Sequence, residues 1–350
     1  MKKILYISNI EVPYRVRLFN ELAKRCDLTV LYERKKSASR NEKWSKSEQG
    51  SYKKEYLNGQ ETGSDNSFSF GIIKKLFEGY DWIIVGCYNS PVQMMLILLM
   101  KIFRIPYILN LDGEIFADGK NLKSIIKRFF LKGAKKYLVA GEKSAESVRR
   151  IVGDKEIIPY YFSSLTEEEL QINAETVAER EDYVIVVGQY LDVKGIDVAL
   201  DAAKKNENIR YKFIGMGSRT DEFIKKYCPD VQENVQFIPF LQKVDLENEY
   251  KKCAAFVLPS RQECWGLVIN EAASFGTPIV STYGSGAAVE FLEDDYPQNL
   301  AIPGNSESLY ECIKNVLDSD NSQYSRYLTE KSARYSIESG LKSHIIACEL

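Results

Sequence analysis

Short apolar runs bounded by turn residues recur along the chain and alternate with stretches whose apolar positions repeat at helical spacing. Lys3 to Ser8 (KILYIS), Asp27 to Glu33 (DLTVLYE), Asp81 to Tyr88 (DWIIVGCY), Ile105 to Glu114 (IPYILNLDGE), YLVAGE and Glu156 to Phe162 (EIIPYYF) read as strands. Between the first two, Val16, Phe19 and Leu22 share one side of an amphipathic helix. The apolar run Met94 to Met100 predicts a buried helix, because crossing a bilayer takes about 20 apolar residues. The alternation restarts at Tyr183 to Tyr190 (YVIVVGQY) and continues through Arg210 to Ser218, Asn234 to Leu241, Ala254 to Leu258 and PIVST, with helices at IDVALDAAKKN and LVINEAASF. Strands alternating with helices pack as parallel sheets covered by helices, so the pattern predicts an α/β chain of two Rossmann-like domains.

Two polar stretches interrupt the pattern. Lys35 to Ser67 is rich in Ser, Lys, Glu and Gly, with Trp44, Tyr52 and Tyr56 interleaved; it reads as a loop whose aromatics pack on the surface, with a ligand lid as the alternative. TEEELQINAETVAERED carries seven acids and reads as an interdomain linker. The expected division is residues 1–165, a linker at 166–182, a second domain at 183–322 and a helical segment at 323–350.

The chemistry concentrates after the strand Ala254 to Leu258. Pro259 and Ser260 turn the chain just beyond a strand end, where open parallel sheets bind ligands. The following helix opens near Gly266, so the amides of Cys264, Trp265, Gly266, Leu267 and Val268 form an anion site with no side chain at Gly266 in the way. Glu263 and Glu271 lie eight positions apart, about 12 Å on a helix, too far for the about 5–5.5 Å of a retaining hydrolase pair. Gly215 and Gly217 end another strand, where backbone can approach a ligand closely. The third glycine of a dinucleotide fingerprint is missing.

Composition narrows the classes. A chain of 350 residues with 45% apolar and 27% charged residues and a net charge of -2 is an ordinary globular protein with no bias toward nucleic acid. Seven cysteines without a C-x-x-C pair fit a reducing cytoplasm, and Cys264 has no histidine near it in sequence to activate it as a nucleophile. The single histidine, His344, excludes zinc-protease motifs and Ser-His-Asp triads. The start, MKKILYISNI, reads as a first strand and not as a signal peptide. Asn121 to Tyr137 carries six basic residues around Ile125, Ile126, Phe129, Phe130 and Leu131, with no acid from Lys120 to Ala140. A helix there either lies on anionic lipid or turns its apolar side to the core and its basic side to solvent.

The string PSRQECWGLVINEAASFGTPIV, with its Pro-Ser turn, Glu-x7-Glu pair, Gly-Leu-Val helix start and Gly-x-Pro exit, resembles the donor-site signature of the family-4 glycosyltransferases. The resemblance implies the GT-B fold: two Rossmann-like α/β/α domains facing a cleft, 1–165 binding acceptor, 183–322 binding a nucleotide sugar, and a C-terminal helix in 323–350 returning to the first domain. It implies that Glu271 binds ribose hydroxyls, Glu263 a sugar hydroxyl, and Lys194 with the amides of Trp265 to Leu267 the diphosphate. Gln189 stands where the family often has Arg, and a neutral amide donates to phosphate without adding charge. Glu263 and Lys194 are the catalytic candidates. Arg15, Asp112 and Glu114 are those of the acceptor side, although the histidine that many members place there is missing. The implied reaction is retaining hexosyl transfer from a nucleotide-diphosphate sugar, with no further cofactor and no metal, since no D-x-D motif stands in a suitable loop. A glycan or lipid-linked glycan acceptor, surface-polysaccharide or glycolipid assembly, and peripheral contact with the inner face of an anionic membrane through 121–137 complete the expectation. A non-catalytic GT-B subunit and a nucleotide-sugar epimerase are the rival readings.

Overall fold

In the computed structural model, the residues described are 1–35, 50–62, 66–113, 122–175, 179–215, 220–227 and 233–350. They form two units, Met1–Phe162 with Ile337–Leu350, and Ser163–Ser336.

The apolar runs of the first unit become strands β1 (Lys3–Ser8), β2 (Asp27–Tyr32), β3 (Lys53–Tyr56), β6 (Trp82–Val85), β7 (Ile108–Leu111), β8 (Lys136–Ala140) and β9 (Glu156–Tyr160), while β4 (Gln60–Glu61) and β5 (Ser67–Phe68) make a separate antiparallel pair. The seven-stranded sheet has the order β3-β2-β1-β6-β7-β8-β9 with every pairing parallel. Strand order reverses between β1 and β6. Four consecutive residues of β6, β7 and most of β8 are buried, as expected of strands covered on both faces.

The second unit repeats this logic with β10 (Glu181–Val187), β11 (Arg210–Ile214), β12 (Val235–Ile238), β13 (Cys253–Val257), β14 (Ile279–Thr282) and β15 (Leu300–Ala301) in the order β12-β11-β10-β13-β14-β15, again all parallel. The reversal lies between β10 and β13. Val184, Val186, Ile196, Leu200, Phe213, Val257, Leu309 and Ile313 anchor its core.

Four boundaries differ from the sequence reading. Lys53–Tyr56, inside the expected loop, is an edge strand paired with β2; its polar side chains hide the signal because the backbone makes the pairing. Tyr52 beside it is buried and shares a hydrogen bond of 2.7 Å with the Tyr32 hydroxyl, so it is a core residue; Trp44 lies outside the described residues. The basic helix ends at Leu131, and Lys136 begins the buried part of β8, paired with Glu156 at 3.2 Å and Glu349 at 2.8 Å. The acid-rich stretch taken for a linker holds the helix Glu167–Ala174, where Thr166 and Glu169 form a capping box and Glu167 to Glu169 sit at the positive end of the helix dipole. The crossover begins at Ile337 and not at residue 323: the helix Ser322–Ser332 stays in the second unit, its Tyr324 hydroxyl donating to Ile279 O at 2.7 Å. The helix Ser306–Leu317 is capped by Asn305, whose side chain accepts from Ser308 N at 3.0 Å.

His344 lies in the helix Ile337–Cys348 of the first unit, fully buried, its Nδ1 2.8 Å from Gly340 O. A carbonyl only accepts, so Nδ1 carries the proton and Nε2 is bare, without a partner. Burial pushes the imidazole down to about 4 from its ordinary 6.5. The folded state therefore resists a proton that the unfolded chain takes up. Stability is expected to hold above the ordinary value and to fall as pH drops from there toward about 4, by up to about 3 kcal/mol. Urea unfolding across that window checks it: a wild-type profile no steeper than that of His344→Gln would refute it.

Candidate functional site

The reversal between β10 and β13 brings two loops together at the carboxyl ends of the second sheet, Gly188 to Gly195 and Leu258 to Gly266. Arg261 N and Gln262 N both donate to Val193 O, at 2.8 and 3.1 Å, so the loops are joined through backbone. Gly195 makes this possible: its φ is +63°, and a Cβ there would stand 2.1 Å from Pro259 O. The Arg261 guanidinium adds a two-pronged contact to Asp197, at 2.8 and 2.7 Å, and reaches Asp192 O at 2.7 Å. Burial alone would raise the Asp197 carboxyl, but the hydrogen bonds and charge of Arg261 hold it below its ordinary value.

Within this joint Lys194 Nζ forms an ion pair with Glu263 Oε2, across 69 positions of sequence. Glu263 is itself fixed by backbone: its N–H donates to Gly284 O at 2.8 Å, and it bridges Ser285 in parallel. The helix then opens at Leu267, with Gly266 as its N-cap at φ +101°. A helix leaves the amides of its first turn without i−4 partners; here Ile269 N donates to Gly266 O at 2.9 Å. Trp265 is buried; its indole N–H donates to Asn270 Oδ1 at 2.9 Å, and its ring packs near Tyr335. Only its backbone is therefore available to a ligand. Cys264 is exposed.

Glu271 lies one turn into this helix and accepts a hydrogen bond of 2.9 Å from Ser164 Oγ. Burial pushes its carboxyl up to about 7, against the lowering effects of Ser164 and Lys243. Gln189 follows β10, its carbonyl accepting from Leu191 N at 2.8 Å. Gly215 follows β11 at φ +94°, its N–H donating to Ile238 O. Gln189, Lys194, Gly215, Glu263 to Leu267 and Glu271 thus all lie on segments that leave the carboxyl ends of β10, β11 and β13. Gly217 falls outside the described residues. Sequence reasoning missed Arg261, Asp197 and Ser164: Arg261 stands inside the donor-site string but its partner Asp197 lies 64 positions away in the first turn of the helix Ile196–Lys204, and Ser164 is brought to Glu271 only by the fold.

In the first unit Arg15 is buried in the first turn of the helix Pro13–Ala23 and pairs with Asp112 at the end of β7. Tyr160 Oη also donates to Asp112, Asn110 Nδ2 does so at 2.8 Å, and Tyr6 Oη reaches Asn110 Oδ1 at 3.0 Å. Arg15 Nη1 is buried without a hydrogen-bond partner. Glu114 lies outside the described residues. At the reversal between β1 and β6 a second cluster, not anticipated, surrounds the buried Glu33: Gln93 Nε2 and Ser90 Oγ donate to it, both at 2.7 Å, and Gln93 also reaches Asn9. Burial raises its carboxyl despite these donors.

Among the described residues no helix is long and apolar enough to cross a membrane.

Residues 167–334 match the family described as glycosyl transferases group 1. An uncharacterized glycosyltransferase of Methanocaldococcus jannaschii is 27% identical over 277 residues, covering 74% of this chain and 71% of that protein. An uncharacterized glycosyltransferase of Haemophilus influenzae is 27% identical over 168 residues, and the chain spans 46% of its length and 46% of its own. Among solved structures, Anabaena HepE in complex with UDP superposes with a TM-score of 0.71 at 14% identity, covering 100% of both chains. Strand order, the loop joint and these matches agree: residues 167–334 belong to the glycosyl transferases group 1 family, in a chain with the GT-B fold.

Proposed function

We propose that the chain transfers a hexosyl group from a nucleotide-diphosphate sugar to a hydroxyl acceptor, with retention and without a metal, in the assembly of a cell-surface polysaccharide or glycolipid. The observation that carries this reading is the meeting of Lys194 with Glu263 directly ahead of the amides that open the helix Leu267–Ser274. Lys194 and those amides stabilise the diphosphate as charge develops on it. Glu263, freed from Lys194 by the incoming phosphate, accepts from a sugar hydroxyl, and Glu271 accepts from the ribose hydroxyls. The bond from the anomeric carbon to the phosphate oxygen breaks, the acceptor oxygen bonds the same face, and its proton passes to the leaving phosphate. Gln189 and Gly215 line the donor, and Arg15 and Asp112 serve the acceptor side.

Anabaena HepE has been solved with UDP-glucose as well as with UDP, which makes a uridine donor the first to test. Thermal shift with UDP-, GDP- and ADP-sugars at 100 times the dissociation constant should stabilise the protein by about 2.7 kcal/mol with one base. Loss of that shift in Glu271→Ala supports the site; no shift with any donor overturns the reading and favours a non-catalytic subunit.

A pH dependence follows. Glu271 is protonated in much of the free protein below about 7, and only the carboxylate accepts from two hydroxyls. Donor affinity is therefore expected to rise about tenfold from about pH 6 to about pH 8 and then level off. Calorimetry checks it; a slope that persists unchanged in Glu271→Gln assigns the titration to another group.

A further inference from the structure

Apolar residues at helical spacing normally face a core. In the helix Leu122–Leu131 they do the opposite: Leu122, Ile125, Ile126 and Phe129 form one stripe and are 72, 56, 44 and 51% exposed, while Phe130 and Leu131 supply the buried contact. The stripe does not stand alone. The end of the helix Pro91–Phe103 adds Ile102 and Phe103, 70 and 54% exposed, and Phe77 stacks edge-on against Phe103 with ring centroids 5.5 Å apart. Lys101 ties the two helices, its ammonium 4.1 Å from the centre of the Phe129 ring and donating to Phe129 O. An exposed apolar face of this breadth marks a contact surface.

Its charge selects the occupant. The two helix-bearing segments that build most of it, 82–111 and 122–141, contain no Asp or Glu, although the chain has 49 such residues, and Glu78 beside Phe77 is paired with Lys75 at 2.9 Å. The two segments carry Lys101, Arg104, Lys127, Arg128, Lys132 and Lys135 around the apolar stripe. Arg104, Lys132 and Lys135 are exposed. A second copy seated on this face would set one basic rim against another, an unfavourable like-charge contact. We propose that this face of the first unit docks on an anionic lipid bilayer, the two helix segments immersing their apolar stripe at the headgroup boundary while the basic rim meets lipid phosphates. Two helices and Phe77 form the docking face, so the surface is broader than the single basic helix that the sequence suggests. The proposal does not rest on the donor chemistry of the second unit.

The experiment is flotation of the full chain with vesicles of phosphatidylcholine alone and of equimolar phosphatidylcholine and phosphatidylglycerol. Recovery with the anionic vesicles only, lost at high salt, is the expected result. Ile125→Ser with Phe129→Ser should abolish it. Lys132→Ala with Lys135→Ala should weaken it about fivefold per residue, the equivalent of about 1 kcal/mol each. All four side chains are exposed, and unchanged donor binding by calorimetry in each variant separates loss of docking from loss of fold or of the donor site. Equal recovery with neutral vesicles, no recovery with either, or concentration-dependent dimers that Ile125→Ser with Phe129→Ser dissociates would each overturn the proposal.

Discussion

Lys194→Ala is expected to lower kcat by roughly 10²–10³, a loss of about 2.7–4 kcal/mol of transition-state stabilisation. The joined loops offer few charges to a phosphate. Gln189 contributes dipole without charge, and Arg261 is committed to Asp197, so Lys194 is the cation of the joined loops that can turn to a phosphate. Charge on the leaving diphosphate grows as the glycosidic bond breaks, so the loss should fall mainly on kcat, with a smaller rise in KM. Arg261→Ala provides the contrast. It loosens the loops without removing a group that touches donor, and should raise KM more than it lowers kcat. Steady-state kinetics on both variants decide the matter, and a Lys194→Ala enzyme within about threefold of wild type would remove Lys194 from the mechanism.

Asp112→Ala is expected to destabilise the first unit by about 3–5 kcal/mol, because it leaves the buried Arg15 charge uncompensated. At this size of unit the melting temperature should fall by on the order of 10 °C. Replacing both partners, Arg15→Met with Asp112→Leu, should return most of that stability, since no charge is left stranded. The pair of variants separates two roles. If the double variant is stable but does not use acceptor, the ion pair serves substrate; if it is stable and active, the pair serves the fold alone. A loss below about 1 kcal/mol in Asp112→Ala would mean that water reaches the guanidinium.

The strands and most helices were legible because burial on both faces writes near-continuous apolar runs, as in β1, β6 and β10. The proposed donor loop was legible for a different reason: Glu263, Gly266 and Glu271 fall within nine residues of sequence, so their order is visible without the fold. What the sequence hid depends on pairing or on distance along the chain. The edge strand Lys53–Tyr56 has no apolar signature, the acid-rich helix Glu167–Ala174 reads as linker because its acids are capping groups, and Ser164 meets Glu271 only after folding. The exposed stripe of the helix Leu122–Leu131 shows the limit from the other side. Periodicity gives the face and leaves open what covers it.

The first unit is discontinuous, and this sets the order in which the protein can be finished during synthesis. The helix Ile337–Cys348 packs on the helix Pro13–Ala23 and on β8 and β9, and Lys2 reaches Cys348 O and Glu349. None of these contacts exists when Phe162 leaves the ribosome. The second unit, contiguous from Ser163 to Ser336, must be translated first, which takes roughly 10–35 s at ordinary elongation rates. During that interval the nascent first sheet waits with Tyr6 and Tyr160 uncovered on the side that His344 will fill. Chaperone demand should therefore peak while the second unit is being made.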